Sequence, residues 1–219
     1  MLKLPRMKKL EGVAWLNSPN KRAEDILLVA GVIPVAGPPA IAGASAVTAL
    51  DRVNPFFKQE RIGRNGNPIT IYKIRTMPGV KEHSSSRGDP NDDRASKVGK
   101  VLRKLRVDEF PQVANVIQGN MSVVGPRALL AHDYDLAREV LDPRTYTEWL
   151  KTRTRAKPGI FDKYGMLYHN GQVQKDPAAE YSTRVECDTQ MIEEASFTND
   201  MQIMGGVIKM FFAALRRIK

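Results

Sequence analysis

Residues 26–50, ILLVAGVIPVAGPPAIAGASAVTAL, contain no charged side chain. An uninterrupted run of 25 such residues has to be hidden from water, in a sizeable core or in lipid. As a straight helix it would extend ~37 Å, enough to cross a hydrocarbon layer of ~30 Å. Pro34, Gly37, Pro38 and Pro39 lie inside it. Two consecutive prolines remove two backbone donors and clash with the preceding turn, so a sharp bend or stop is expected near Pro38. Lys3, Arg6, Lys8, Lys9, Lys21 and Arg22 precede the run, and Arg52, Lys58, Arg61 and Arg64 follow it. Positive flanks favour the cytoplasmic side of a membrane. Two basic ends around a broken middle favour a re-entrant membrane helix over residues 21–50, broken near Pro38. A basic segment, residues 1–20, would precede it, and a domain on the cytoplasmic face, residues 51–219, would follow. A kinked full span and a buried core hairpin are the alternatives.

Charge narrows the partners. The chain has 219 residues, a formal net charge of +10 and a pI near 9.8, a balance suited to nucleic acid, anionic lipid headgroups or a small phosphorylated substrate. Aromatic residues make up only 7%, little material for stacking bases, and the apolar run has no role in a nucleic-acid binder, so no nucleic-acid partner is expected. Cys187 is the single cysteine, which excludes an internal disulfide. His83, His132 and His169 are scattered, without the spacing of a zinc site. The N-terminus is basic but no apolar h-region follows it directly, so it does not read as a cleavable signal.

Downstream, ITIYKIRTM alternates and is rich in β-branched residues, predicting a strand over Ile69–Arg75. GRNGNP supplies a tight turn, with FFKQERI as the partner strand of a hairpin. Pro78 to Lys97 is polar and turn-rich, a surface loop. Helical spacing resumes at Val98–Leu105, again from about Glu109 to Ile117 with a stop at Gly119, and across Ala128–Leu150 with an interruption near Pro143. A long helix is expected from about Thr183 to Glu194. The C-terminus pairs apolar Ile203, Met204, Val207, Ile208, Phe211, Phe212 and Leu215 with Lys209, Arg216, Arg217 and Lys219, the pattern of a helix lying in a membrane interface or docked on a core. The fold class is therefore α+β and mostly helical, with a re-entrant N-terminal membrane helix, a small β-hairpin and amphipathic interfacial helices.

Within RVDEFPQVANVIQGNMSVVGPR, Asp108 and Glu109 stand immediately before a helical stretch. Asp108 as an N-cap, with Pro111 in the first turn, is one interpretation. A carboxylate held ionised at a helix start, as a nucleophile or metal ligand requires, is the other. Cations surround the pair in sequence. Arg103 and Arg106 lie upstream and Arg127 follows on a Gly-Pro turn, while Lys73 and Arg75 share one strand face and Arg153, Arg155 and Lys157 precede the next Pro-Gly. Two acids among arginines match a site where Mg²⁺ and guanidinium groups hold a diphosphate while a carboxylate attacks phosphorus.

KRAEDILL, QERIGRNGNPITIYKIRTM, DDRASKVGKVLRKLRVDEFPQVANVIQGNMSVVGPRALL, RTRAKPGI and ASFTNDMQIMGGVIKM together resemble the bacterial sugar transferases known as monotopic phosphoglycosyl transferases, in their small catalytic-core form. The resemblance runs from Lys21 to near the C-terminus. It implies transfer of a sugar-1-phosphate from a UDP-sugar to polyprenyl phosphate, with release of UMP, at the start of glycan or exopolysaccharide synthesis. It implies Asp108 as nucleophile, Asp108 and Glu109 as the Mg²⁺ partners, and an aspartyl-phosphosugar intermediate. Lys73, Arg75, Arg103, Arg127 and Arg155, with Gln59 and Arg61 from the hairpin block, would contact the phosphates or nucleotide. The implied location is the cytoplasmic face of the bacterial inner membrane, among membrane lipids; self-association into a homo-oligomer is left open. A catalytically silent scaffold or anionic-lipid binder is the alternative. The chain departs from the family pattern at Phe161-Asp162-Lys163, where Thr-Gly-Trp is usual.

Overall fold

The computed structural model describes residues 11–79, 92–174 and 176–216. Most of the predicted polar loop and the first half of the basic segment lie outside the described residues. A short helix α1 (Glu11–Leu16) leads to Ser18, whose hydroxyl accepts from the Lys21 amide and starts the long helix α2 (Pro19–Ala46). Proline at the first helical position suits this start, because its missing donor would be unpaired there anyway.

Helix α2 runs without interruption through Pro34, Pro38 and Pro39, then tightens into a π-helical turn over Val47–Asp51. Of the expected bend or stop near Pro38, the stop does not occur. The three prolines face away from the body, so the donors they lack are missing on the open side of the helix. The other face is pinned along its length. Arg22 donates to the carbonyls of Val116 (2.5 Å) and Ile117 (2.7 Å), Gly37 sits under Phe110, and Gly43 lies against Leu102. Tertiary contacts here override a weak local propensity.

Strands β1 (Phe56–Ile62) and β2 (Pro68–Ile74) form the predicted antiparallel hairpin, with Phe57 opposite Lys73 and Gln59 opposite Ile71. Its turn places Asn65 and Gly66 at positive φ (58° and 78°), which the Asn-Gly pair tolerates. Helix α3 (Lys97–Lys104), capped by Ser96, follows. The predicted Glu109–Ile117 helix is instead a 3₁₀ segment, Val107–Gln112, continued by α4 (Val113–Ile117), and it ends at Gly119 as expected, with φ of 82°.

A second small sheet was not anticipated. β3 (Ser122–Val124) pairs in parallel with β4 (Gly159–Phe161). Between them run α5 (Ala131–Val140) and α6 (Pro143–Arg153), divided near Pro143 as the sequence implies. Then come α7 (Lys163–His169), α8 (Pro177–Glu193), which begins six residues earlier than expected, and α9 (Phe197–Arg216).

Three apolar clusters hold the elements together. One joins Val29 of α2, Ile71 of β2, Val116, Val123, Val124, Ile160 and Met204 of α9. A second packs Tyr134, Trp149 and Tyr181 between α5, α6 and α8. A third sets Ala40 and Val47 against Ile74, Leu102 and Val107. Lys21 is fully buried and bonds Glu24 (3.3 Å), Asp25 (3.0 Å) and Asp200 of α9 (2.8 Å), while Asp25 accepts from Ser122 and the Val123 amide. The KRAED stretch is thereby a buried clamp between α2, α9 and β3. α9 combines both predicted characters. Ile203 and Met204 are buried, whereas Ile208, Phe212 and Leu215 are exposed.

Candidate active site

The 3₁₀ segment carries Asp108 and Glu109 and is docked against β2. Asn115, fully buried, accepts from the Tyr72 amide (3.3 Å) and donates to the Thr70 carbonyl (2.6 Å). This side chain escaped the sequence reasoning; a polar residue within an apolar helical stretch was the only hint of it. The docking turns Lys73 toward Glu109, with Nζ 3.4 Å from Oε1.

Asp108 is not the helix cap. Arg106 occupies that position, in the left-handed region at φ 55°, with no side-chain capping bond. A non-glycine residue there is strained, and the strain redirects the chain from α3 so that both carboxylates enter the same buried site. From Arg106, Nη2 reaches Glu109 Oε2 at 2.7 Å. Arg127 bonds Glu109 Oε1 from the Gly-Pro turn. Its backbone pairs with Gly159 and its carbonyl accepts from Arg153 Nη2 at 2.6 Å.

Three cations thus close on one carboxylate. Burial alone would raise the Glu109 pKa, but Arg127, Arg106 and Lys73 outweigh it and hold the group well below the usual carboxylate range. Asp108 differs. Burial and then the Glu109 charge push its pKa up, and among the described residues no hydrogen bond or ion pair reaches its carboxylate. Burial pushes Lys73 down to about 8 against the pull of Glu109. The arrangement presents one fixed, neutralised acid beside one unengaged, more basic acid.

Of the other predicted residues, Arg103 is buried next to the pair, 3.9 Å from Asp92, and its Nε and Nη1 lack hydrogen-bond partners. Arg61 is buried one layer back. It donates to the Ala128 carbonyl (3.0 Å) and to Gln59 (3.1 Å), so these two hairpin residues brace each other rather than line the dyad. Burial and then the nearby Arg127 lower Arg61 to about 9. Two of the named residues stand away from the dyad. Arg75 falls just past the end of β2, donates to the Asn54 carbonyl (3.0 Å) and lies over the Phe57 ring, because the strand twist and chain exit carry it away from Lys73. Arg155 is exposed beyond the end of α6. Its neighbour Arg153 is the buried one, stacked 4.8 Å from the Trp149 ring centroid and 3.2 Å from Asp188.

Asp162 also escaped notice as a site residue. It caps α7 through the Gly165 amide (2.7 Å) and lies 3.9 Å from Arg127. Among the described residues no three His, Cys, Asp or Glu side chains gather into a metal cluster. Mg²⁺ commonly takes one or two carboxylates and completes its octahedron with water and substrate phosphates; Asp108 has its carboxylate unengaged, and Glu109 would join it as a ligand only by giving up a cation contact.

A sequence profile of the bacterial sugar transferases matches residues 16–214. The chain belongs to that family. It is 37% identical over 162 residues to EpsL of Bacillus subtilis (strain 168), named as an uncharacterized sugar transferase, covering 73% of this chain and 71% of that protein. It is 33% identical over 195 residues to the UDP-glucose:undecaprenyl-phosphate glucose-1-phosphate transferase of Escherichia coli (strain K12), covering 88% of this chain and 40% of that protein. With the exopolysaccharide production protein ExoY of Rhizobium meliloti (strain 1021) it shares 30% identity over 200 residues, 84% of this chain and 81% of the relative. The family match takes in the dyad, every predicted phosphate contact and all of α2.

Proposed function

We propose that this chain is a glycosyl-1-phosphate transferase that moves a sugar-1-phosphate from a UDP-sugar to polyprenyl phosphate at the cytoplasmic face of a bacterial membrane. The observation that carries the proposal is the division of labour in the dyad. Glu109 is locked by Lys73, Arg106 and Arg127, whereas the Asp108 carboxylate is unengaged and made more basic by its surroundings. That is the condition of a carboxylate nucleophile among groups arranged for phosphate charge.

Asp108 attacks the phosphorus attached to the sugar. The bond from that phosphorus to the bridging oxygen breaks, and the bridging oxygen leaves with UMP. An oxygen of polyprenyl phosphate then attacks the same phosphorus and releases the Asp108 carboxylate, giving a polyprenyl diphosphate sugar. Arg103, whose buried nitrogens lack acceptors, together with Arg127 and Lys73, would bind the diphosphate oxygens in place of water. Mg²⁺, held by Asp108 and Glu109, would supply charge neutralisation for the diphosphate. The apolar face of α2 would rest in lipid and keep the site at the headgroup level, where the acceptor phosphate lies.

The test is UMP release from a panel of UDP-sugars with polyprenyl phosphate and Mg²⁺. Asp108→Asn keeps the size of the side chain and should lower the rate by at least about a thousandfold. Release at the parental rate by the folded variant would rule out Asp108 as the nucleophile. A folded, membrane-bound parental protein that is silent across the panel would favour the scaffold reading.

A further inference from the structure

A cavity lies away from the dyad, where the start of α2 meets the ends of β3 and β4. Its volume is about 220 Å³. That is below the about 300 Å³ at which pockets for drug-sized molecules begin, and several times the about 30 Å³ of one water. It therefore suits a single charged group with its immediate substituents, not a nucleotide sugar. No residue lining it is among the hydrogen-bond or ion-pair partners of Asp108 or Glu109.

Four cations line this cavity: Lys21, already paired with Glu24, Asp25 and Asp200, and three from separate elements, Arg22 of α2, Arg64 of the hairpin turn, and Lys157 just before β4. Arg22 is anchored by the Val116 and Ile117 carbonyls, which fix its position without neutralising it. The Arg64 side chain has no hydrogen bond or ion pair among the described residues, and its Nε is buried without an acceptor. Lys157 likewise has no acidic partner in bonding distance. Asp25 also lines the cavity, but Lys21, Ser122 and the Val123 amide already engage its carboxylate.

We infer that this cavity is a binding site for a phosphate group, separate from the catalytic dyad, with Arg64 and Lys157 as its donors and Arg22 as a fixed positive charge. Guanidinium forks match tetrahedral phosphate oxygens, and a buried donor without an acceptor is satisfied when such an anion enters. The Lys157 pKa is lowered, by burial first and then by Arg22 and Arg64, a like-charge crowding that a bound anion would relieve. Two sources carry this chemistry. One is a soluble phosphate. The other is an anionic lipid headgroup, since the exposed apolar residues Ile26 and Leu27 begin one turn along α2.

Amine acylation of Lys157, read by peptide mass spectrometry, tests the inference on the full chain in phosphatidylcholine vesicles. Inorganic phosphate is titrated against chloride at equal ionic strength. Separately, phosphatidylglycerol replaces part of the phosphatidylcholine. Exposed Lys151 on α6 serves as the internal reference. Selective protection of Lys157 by phosphate identifies the soluble source, protection by phosphatidylglycerol alone identifies the headgroup, and either supports the site. Arg64→Gln should raise the protecting concentration by about tenfold, the loss of one charge-assisted hydrogen bond. Protection by neither, equal protection of Lys151, or protection unchanged in Arg64→Gln would overturn the inference. Asp108→Asn should be protected like the parent, which separates this outcome from the fate of the transferase mechanism.

Discussion

At the scale of single residues, neighbouring charges divide two adjacent acids into different roles. Glu109 accepts from three cations and stays ionised, whereas Asp108 is more basic than an ordinary carboxylate. The sign for activity follows. Turnover needs Asp108 deprotonated and Lys73 protonated if Lys73 contacts phosphate. The rate should rise with pH through a value above the usual aspartate range, then fall as Lys73 loses its proton near about 8. Lys73→Arg keeps the charge and should move the alkaline limb upward while leaving the acid limb in place. A pH–rate profile of both proteins checks this, and an unmoved alkaline limb would remove Lys73 from the assignment. Cys187, by contrast, is buried with its thiol pushed up to about 12, which makes it a packing residue rather than a nucleophile.

At the scale of elements, the site depends on backbone contacts that no side-chain pattern announces. Gly125 and Gly159 face each other across β3 and β4. A Cβ on Gly159 would lie 2.1 Å from the Gly125 nitrogen and 2.5 Å from its oxygen. The same pairing sets the backbone of Arg127, whose guanidinium holds Glu109. Backbone atoms have little room to yield, so Gly159→Ala should destabilise the fold by about 1–3 kcal/mol. It should also lower UMP release by more than the folded fraction explains. Urea unfolding together with activity per folded molecule tests both. An unchanged denaturation midpoint would mean that the two strands separate easily.

At the scale of the whole molecule, α2 has two contrasting faces. One is clamped through Lys21, Asp25 and Val29 and continues through Gly37, Ala40 and Gly43. The other leaves Leu27, Val35 and Ile41 exposed at 72%, 70% and 70%. The helix, 33 residues counted through Asp51, is long and apolar enough to cross a membrane, with a mean hydropathy of 1.9 over an 18-residue window. Exposed apolar residues of α9 would add to any lipid contact. Val35→Glu together with Ile41→Glu should weaken vesicle binding, since each side chain loses roughly 1.5–3 kcal/mol of apolar burial in lipid. Thermal stability should change little, because neither residue packs on the body. Vesicle flotation and a melting curve separate the two effects; undiminished flotation would remove this face from the membrane assignment.

The sequence by itself determined the α+β class, the hairpin with its Asn-Gly turn and most helix positions. Those features rest on local physics, namely periodicity, turn chemistry and caps. Its ordered motifs also sufficed to indicate the family. Tertiary structure alone decided the rest. It carried α2 through three prolines, because contacts along one face outweigh the missing donors on the other. It replaced Asp108 by Arg106 at the head of the 3₁₀ segment. From a crowd of cations it brought Lys73, Arg106 and Arg127 onto Glu109, while Arg75 and Arg155 went elsewhere. Charge density can be counted along a chain. Which charges meet is fixed by the docking of distant segments, here by Asn115 on β2 and by the close approach of two glycines.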